Sequence, residues 1–290
     1  MEIRVLQYFL AVAREQSLSG AAEFLHLSQP TLSRQLKDLE EELGKQLFTR
    51  SNKGISLTEE GMLLRERAEE IVRLMKKTED EIALSDEHIT GDIYIGAGES
   101  DVNRLIGRAV NQLRERYPGI SCHISSGNAV FVLEQLDRGL IDFGLVYAPV
   151  DYTKYESLQL PYSDVFGVLM RRDSELADRE YITLEELRDK PLIVSAQERQ
   201  EGCRTLSEDP SKLNIVATYT LIFNGALLVD EGLGYAICFD RLINTQKTNL
   251  CFRPLRPALE VTANMVWKKY QLLSKPAQKF LTKMQELCEE

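Results

Sequence analysis

A short run of polar side chains near the start of the 290-residue chain carries chemical groups of the kind that can contact nucleic acid. Gln29 can bond both exposed positions of an adenine edge, and Thr31 and Ser33 can bond base edges or phosphate oxygens. Arg34 and Lys37 supply positive charge for phosphates. Together with a basic pair further on, they form the predicted contact set for double-stranded DNA: Ser28, Gln29, Pro30, Thr31, Ser33, Arg34, Lys37, Arg50 and Lys53.

A helix capped by Ser28 would hold these side chains on one exposed face. Pro30 falls in its first turn, where a missing backbone donor costs little. Apolar residues recur at helical spacing on the opposite side, at Leu32, Leu36, Leu39 and Leu43. A helix from Ile3 to Ala13 and a second short helix, capped by Ser19, precede a tight turn. This order is typical of a helix-turn-helix, which we place at Leu18 to Lys37.

The residues after this helix predict a small hairpin. Phe48-Thr49-Arg50 and Ile55-Ser56-Leu57 flank the turn-rich segment Ser51-Asn52-Lys53-Gly54. A hairpin that carries Arg50 and Lys53 beside a recognition helix is a wing, which can reach along the DNA backbone or into the minor groove.

The local charge does not favour DNA binding by a single copy. Residues 1–58 hold seven basic and seven acidic side chains, so one copy should bind a polyanion weakly. The polar helix face also fits the solvated side of an ordinary amphipathic helix. Two copies on a dimer would add their phosphate contacts and strengthen binding.

The next segment offers such a dimer. Thr58 can cap a long helix over residues 59–88, with Glu59 and Glu60 favourably placed in its first turn. Six residues recur in it at a period of about 3.5: Leu64, Ala68, Ile71, Met75, Thr78 and Ile82. This period predicts a coiled-coil-like seam between two chains, and the alternative is a helix that packs on its own domain.

The pattern of the first sixty residues resembles the N-terminal domain of LysR-type transcriptional regulators. The matching positions are Ser17-Leu18, Ala21-Ala22, Leu25, Ser28-Gln29-Pro30-Thr31-Leu32-Ser33, Leu39-Glu40, Leu43-Gly44, Leu47-Phe48, Arg50, Leu57-Thr58 and Gly61. The resemblance implies a winged helix-turn-helix on residues 1–58, a linker helix on 59–88 that pairs two chains, and an effector-binding domain on 89–290. It further implies a homodimer or homotetramer that binds specific DNA sequences and is switched by a small-molecule effector.

The remaining residues alternate between strand-like and helical patterns, which predicts an α/β fold with a largely parallel sheet. Ile93–Ile95, Ile120–Ser125 and Ile141–Val146 are the first predicted strands, and a strand from Asp164 to Met170 opens a second group. We expect two hinged Rossmann-like subdomains, at about 89–162 with 266–290 and at about 163–265, similar to periplasmic solute-binding proteins. The predicted chain is therefore multidomain: an N-terminal all-α winged helix-turn-helix, a long linker helix and a C-terminal α/β effector domain.

Ligands of open α/β sheets bind beyond the carboxyl ends of the strands, near helix N-termini. This rule and the resemblance together predict the effector contacts Ser100, Asn128 and Ser195, and the rule alone adds Gln197 and Thr220. Each of these residues is equally suited to capping a helix or forming a turn.

The sign of the effector's charge stays open. Glu99 and Asp101 bracket Ser100 and would weaken the binding of a small carboxylate unless Arg104, Arg199 or Arg204 compensates. An organic anion, an amino acid and a neutral molecule all remain candidates.

Other functional classes find little support in the sequence. The net charge is −10, so DNA binding must rest on a local face. Neither a membrane span nor a secretory signal is predicted, which leaves the cytoplasm as the default location. The three histidines are scattered and the chain carries no catalytic, nucleotide or metal-ligand motif, so we expect no enzyme, cofactor or metal site.

Redox sensing is the alternative mode of regulation. The five cysteines form no Cys-x-x-Cys pair. Cys203 lies in a polar stretch where a neighbouring arginine could lower the pKa of its thiol. The resemblance to the family, whose peroxide-sensing members place a reactive cysteine in this region, implies a resolving cysteine a short distance downstream. None precedes Cys238, which lies in an apolar strand. Sensing of a ligand is therefore favoured over sensing of an oxidant.

Overall fold

The computed structural model describes residues 1–51, 54–82, 89–147, 149–200, 203, 206 and 213–289. The chain divides into two units, Met1–Leu84 and Ser85–Glu290. The first unit contains α1 (Ile3–Glu15), α2 (Leu18–Phe24), α3 (Gln29–Leu43), β1 (Phe48–Ser51), β2 (Gly54–Leu57) and α4 (Glu59–Ile82). Residues 83–88, over which the predicted linker ends, lie outside the described residues.

Serine caps set the starts of α2 and α3. The Ser28 hydroxyl accepts a hydrogen bond from the Thr31 backbone N–H at 3.3 Å, as the sequence predicts. The cap of α2 is Ser17, which accepts from the Gly20 N–H at 3.2 Å. The prediction of Ser19 as this cap was wrong, because Ser19 lies inside α2 whereas Ser17 has the extended backbone that a cap requires.

The core of the first unit joins all four helices. Phe9 and Val12 of α1 and Leu32 and Leu36 of α3 are buried in it, and Ala68 of α4 is fully buried against them. This core is what holds one side of α3 inward and leaves the other side exposed.

The apolar residues of the long helix α4 divide into a buried group and an exposed group. Leu64 and Ala68 pack on the core of their own unit, as the alternative interpretation expected. Further along, Ile71 is 38% exposed and Leu74 is 45% exposed. The first two residues of the six-residue pattern are therefore occupied within the chain, and exposed apolar side chains follow from Ile71 on.

Backbone N–H groups in and next to the hairpin β1–β2 donate hydrogen bonds to α3 and to the C-terminal cap of α1. Its strands pair antiparallel from Phe48 opposite Leu57 to Ser51 opposite Gly54. A carboxylate oxygen of Glu40 accepts from the backbone N–H groups of Leu47 at 2.7 Å and Phe48 at 3.2 Å. The hairpin thus has a fixed origin at the C-terminal half of α3.

The second unit is built on one mixed ten-stranded sheet. Its strands are β3 (Gly91–Ala97), β4 (Ile120–Ser126), β5 (Phe143–Val146), β6 (Tyr155–Arg171), β7 (Ile182–Thr183), β8 (Leu192–Ser195), β9 (Ile215–Tyr219), β10 (Tyr235–Phe239), β11 (Leu250–Arg256) and β12 (Glu260–Lys268). The main order is β4-β3-β5-β12-β6-β10-β8-β9, and β11 pairs with β6 and β7. The parallel strands form two groups, β4-β3-β5 and β10-β8-β9, joined by the antiparallel pair β12 and β6.

Helices cover these parallel strands. They are α5 (Asn103–Arg116), α6 (Ala129–Asp137), α7 (Ala196–Gln200), α8 (Ile222–Asp230) and α9 (Lys275–Glu289). Ile106 and Phe280 bury α5 and α9 against β3 and β5, and Val132 buries α6 on the other side. Ile222 and Val229 bury α8 in the second group. The predicted α/β class is confirmed.

One strand differs from its prediction. The predicted strand from Asp164 is the second half of β6, which begins at Tyr155 and runs without a break to Arg171. Its first half contains Pro161 and reads as a loop in sequence, yet it pairs with β12 across a register shift between Thr262 and Asn264. A proline is tolerated in such a bulge because the extra residues make no ladder hydrogen bonds.

No helix in the described part of the chain is long and apolar enough to cross a membrane.

Candidate functional site

The polar face of α3 is exposed while its leucine face is buried. Gln29, Thr31 and Arg34 are open to solvent, as are Pro30 and Lys37. Ser33 is half-buried, and Leu32, Leu36 and Leu39 are buried as predicted. The prediction that Leu43 faces inward was wrong, because this last residue of α3 is 41% exposed. An exposed set of amide, hydroxyl and guanidinium groups on a firmly packed helix is what base and phosphate contact requires.

Hydrogen bonds hold the polar side chains at the start of this face in place. The hydroxyls of Ser28 and Thr31 lie 2.7 Å apart, and the Ser19 hydroxyl donates to the side-chain carbonyl of Gln29 at 3.3 Å. At the other end of the face, Lys37 pairs with Glu41 at 3.1 Å, and both side chains are exposed. Such an exposed pair contributes little to stability and can open for another partner.

The wing is formed, but its basic side chains are not described. Arg50 is a backbone partner of Ile55 in the hairpin, and the Thr49 and Ser56 hydroxyls lie 2.7 Å apart across the two strands. The position of the Arg50 side chain and the whole of Lys53 lie outside the described residues. The hairpin prediction is confirmed, whereas the two basic contacts stay predictions.

In the second unit, a cavity of about 520 Å³ lies at the carboxyl ends of the parallel strands. Its walls come from the segments after β3, β4, β8 and β9, which belong to both groups of strands. Four of the five predicted effector residues line it: Asn128, Ser195, Gln197 and Thr220. The edge of the sheet that the sequence rule selects is therefore also the edge where the cavity lies.

Three of these four side chains also hold local structure. Asn128 caps α6 by accepting from the Phe131 N–H at 2.9 Å. Ser195 accepts from the Glu198 N–H at 3.0 Å. Gln197 accepts from the Ala129 N–H at 3.2 Å, which joins one group of strands to the other across the cavity. The capping alternative and the contact prediction thus apply to the same residues.

Ser100 is placed differently from the other four. It is buried, is not among the lining residues, and donates to a carboxylate oxygen of Asp164 while accepting from the Val102 N–H at 2.9 Å. Tyr147, which does line the cavity, donates to the same oxygen of Asp164. Burial and this hydrogen bond raise the pKa of Tyr147 far above its ordinary value, so the phenol stays protonated. Asp164 lies in β6, 64 residues away from Ser100 along the chain. A hydrogen bond between such distant residues could not be predicted from the local sequence.

Sequence reasoning missed two features of the cavity. The Glu99 carboxylate, noted only for its charge, accepts from the Ile222 N–H at the start of α8. The rings of Tyr147, Phe166 and Phe239 form an aromatic wall, with centroids 5.2 Å apart for Tyr147 and Phe239 and 4.6 Å for Phe166 and Phe239. Phe166 and Phe239 are register partners in β6 and β10, a pairing that could have been inferred only after the strand order was known.

Comparison with known proteins assigns both units. Residues 3–62 match the family described as "Bacterial regulatory helix-turn-helix protein, lysR family", and residues 86–289 match "LysR substrate binding domain". The chain belongs to the LysR family. It is a DNA-binding transcriptional regulator with an effector-binding domain.

Relatives of this LysR regulator match it over nearly its whole length. The Hca operon transcriptional activator HcaR of Escherichia coli (strain K12) is 30% identical, covering 96% of this chain and 94% of the relative. The regulator BsdA of Bacillus subtilis (strain 168) is 29% identical and covers 97% and 99%. The fold is shared with CbnR, a LysR family regulator, at a TM-score of 0.74 and 18% identity with full coverage of both chains. CbnR complexed with its target DNA gives a TM-score of 0.71 at 19% identity, with 99% coverage of each.

The thiol that a redox mechanism would use in this LysR regulator is shielded. Cys203 is fully buried in the core beside Met170 and Ile237. Burial raises the pKa of its thiol, with Glu198 adding to the effect and Arg199 opposing it. Cys238 is buried too, and burial raises its pKa to about 12. Since the thiolate is the reactive form, both cysteines have the character of core residues.

Proposed function

We propose that this regulator reads DNA with the exposed face of α3 and that a small molecule in the cavity controls the outcome. The observation that carries the first half is the division of α3 into a buried leucine side and an exposed side with Gln29, Thr31 and Arg34. In this proposal Gln29 contacts a base edge, Arg34 and Lys37 contact phosphates, and Ser28 marks the helix N-terminus next to the backbone. Arg50 and Lys53 supply the wing contacts.

We propose a homodimer or homotetramer as the active form. A neutral helix-turn-helix unit gains affinity when two copies contact one duplex, because their phosphate contacts add. Exposed apolar side chains on α4 support pairing through this helix: Met62, Leu63, Ile71 and Leu74. The relative CbnR, whose fold this chain shares, has been solved complexed with its target DNA.

The proposed switch is a shift between two arrangements of the groups of strands. Contacts from Gln197 to Ala129 and from Glu99 to Ile222 already cross the cavity. A ligand that touches both sides would favour one arrangement and thereby change the spacing of the paired α3 helices. A few kcal/mol of preference, roughly a hundredfold in population, is enough for regulation. Ser100 belongs to this proposal through the Asp164 carboxylate that it shares with Tyr147.

The experiment is a thermal-shift screen of metabolites on the full chain, followed by DNA binding with and without each hit. A ligand of the cavity should raise the melting temperature and change operator affinity, and Ala196→Phe, which puts a bulky ring into the cavity wall, should remove both effects. Ser100→Ala should reduce the ligand-dependent change and leave the basal DNA affinity intact. Hits that act equally on Ala196→Phe would place the effector elsewhere.

We further propose that the protein acts in the cytoplasm, where its DNA target is, and that it does not transform its ligand. Recovery of a hit unchanged after long incubation with the protein supports this, and conversion of the hit to a product would contradict it.

A further inference from the structure

The charge of the cavity wall is one-sided. Two charged side chains line it among the described residues, and both are carboxylates, Glu99 and Glu198. Glu99 lies between the two groups of strands, and Glu198 is largely buried in α7. Their fields reach a third wall residue, Tyr219: burial raises the pKa of that phenol well above its ordinary value, and the charges of Cys238, Glu99 and Glu198 raise it further.

Three backbone donors at this edge that could hold an anion are already occupied. The N–H of Ile222 at the start of α8 donates to the Glu99 carboxylate. At the start of α6, the Ala129 N–H donates to Gln197 and the Phe131 N–H donates to Asn128. An incoming carboxylate or phosphate would have to displace these acceptors and then lie beside the charge of Glu99.

Two of the three arginines that the sequence offered as compensation are engaged elsewhere or do not line the cavity, and the third is outside the described residues. Arg104 pairs with Asp101, and Arg241 lies 3.8 Å from a carboxylate oxygen of the same residue. Arg199 is exposed and is not among the lining residues. Arg204 is outside the described residues.

The aromatic part of the wall, together with the carboxylates, suits an apolar body with a positive end. Tyr147, Phe166 and Phe239 present adjoining aromatic rings to the cavity. Aromatic rings offer a large apolar surface against which such a body is buried, and a carboxylate pairs directly with an ammonium group.

We propose that the effector is an organic ammonium compound, with its cationic nitrogen at Glu99 and its apolar part against Tyr147, Phe166 and Phe239. This rests on the proposed function, in which the cavity is the effector site. A cation adds a counter-charge to Glu99 without displacing the Ile222 N–H, because a carboxylate can accept from several donors at once.

The test is a calorimetric titration of the full chain with three probes of the same ring and similar length. They are 2-phenylethylammonium, 2-phenylethanol and 3-phenylpropionate. The ammonium probe should bind about tenfold more tightly than the alcohol, and the carboxylate should bind most weakly. Glu99→Gln keeps a carbonyl acceptor for the Ile222 N–H and removes the charge. In this variant we expect about tenfold weaker ammonium binding, about unchanged alcohol binding and stronger carboxylate binding.

The gain in carboxylate binding cannot arise from misfolding, and Asp101→Asn is the matched control. Asp101 is a carboxylate two residues away that pairs with Arg104 and does not line the cavity, so its removal should leave all three affinities near the parent values. Ammonium affinity that is equal in the parent and in Glu99→Gln overturns the proposal.

The remaining outcomes separate this proposal from the proposed function. If the carboxylate probe binds the parent most tightly and Ala196→Phe abolishes that binding, the ammonium class is wrong and the cavity remains the effector site. If binding of the ammonium probe survives in Ala196→Phe, the cavity itself is not the site. Absence of binding by all three probes at millimolar concentration also overturns the ammonium class, and the metabolite screen then decides the cavity separately.

Discussion

The exposed face of α3 and the cavity of the second unit differ in how far along the chain their hydrogen bonds reach. On α3 the hydrogen bonds are short-range: Ser28 bonds Thr31 three residues on, and Lys37 pairs with Glu41 four residues on. In the cavity, Gln197 accepts from Ala129, 68 residues away, and Glu99 accepts from Ile222, 123 residues away. Most of the first site therefore lies in one helix, with one bond from Ser19 of α2, whereas the second site includes contacts between distant parts of the chain.

This difference has a functional consequence. A helix anchored by buried leucines presents the same polar groups whatever the rest of the chain does, which suits a fixed reader of sequence. A cavity closed by contacts between two groups of strands changes shape when those contacts break, which suits a sensor. DNA binding should respond to substitution of the buried leucines and of the exposed polar side chains of α3. The ligand response should depend on the contacts between the two groups of strands.

The largest expected effect comes from removing the anchor of α3. Leu36→Ala deletes a buried side chain from the core of the first unit and should lower its free energy of unfolding by about 3 kcal/mol. Operator binding should fall with it, while the melting-temperature rise produced by a cavity ligand should persist. Chemical denaturation and ligand titration measure the two effects. Loss of both would show that the sites are not independent.

Removing a base contact should change selectivity more than stability. Gln29 is exposed, so Gln29→Ala should leave unfolding nearly unchanged. Discrimination at one base pair of the half-site should fall by about 1–3 kcal/mol, because the bidentate amide contact is lost. Competition between operator variants measures this. A uniform loss of affinity at every position would instead assign Gln29 to the DNA backbone.

Removing a phosphate contact should act on all sequences alike. Arg34→Ala should weaken specific and non-specific DNA by about the same factor, near tenfold, and should reduce the slope of log affinity against log salt by about one for each copy bound. Binding isotherms at several salt concentrations test this. An Arg34→Ala variant with parental affinity at every salt concentration would place the DNA on a different face.

The same contrast explains what could be predicted from the sequence. The residues of α3, its Ser28 cap and its leucine face are spaced within one helix, so local periodicity identifies them. For the cavity, the rule on strand ends selected Asn128, Ser195, Gln197 and Thr220, which lie at the edge where the cavity is found. The burial of Ser100 depends on Asp164, and the aromatic wall depends on pairing of β6 with β10. Neither follows from local pattern, because strand order is set by long-range packing.

A smaller effect is expected from the buried thiol. Burial raises the pKa of Cys203, so its thiolate fraction near neutral pH should lie below that of an exposed cysteine. Alkylation of Cys203 in the folded protein should be slow at pH 7. Its rate should increase as the pH rises above the ordinary pKa of a cysteine thiol. Cys203→Ala should retain the ligand response. Rapid alkylation of Cys203 at pH 7, followed by altered DNA binding, would support the redox alternative. The measurement is mass spectrometry of timed samples, with urea-unfolded protein as the reactivity reference.

The smallest effect should be a gain on the DNA side. Glu41 pairs with Lys37 on the exposed face, and this pair competes with any phosphate for the lysine. Glu41→Gln frees Lys37 and removes a negative charge near the duplex, so DNA affinity should rise about two- to threefold, with a change in unfolding free energy below about 0.5 kcal/mol. Glu42→Gln is the matched control, because it removes an equal charge at the next residue. The Glu42 side chain pairs with the N-terminus and not with Lys37. An equal gain in both variants would mean that general charge, and not release of Lys37, governs the effect. A gain confined to Glu41→Gln would place a phosphate at Lys37, since only a contact made by that side chain can depend on its release.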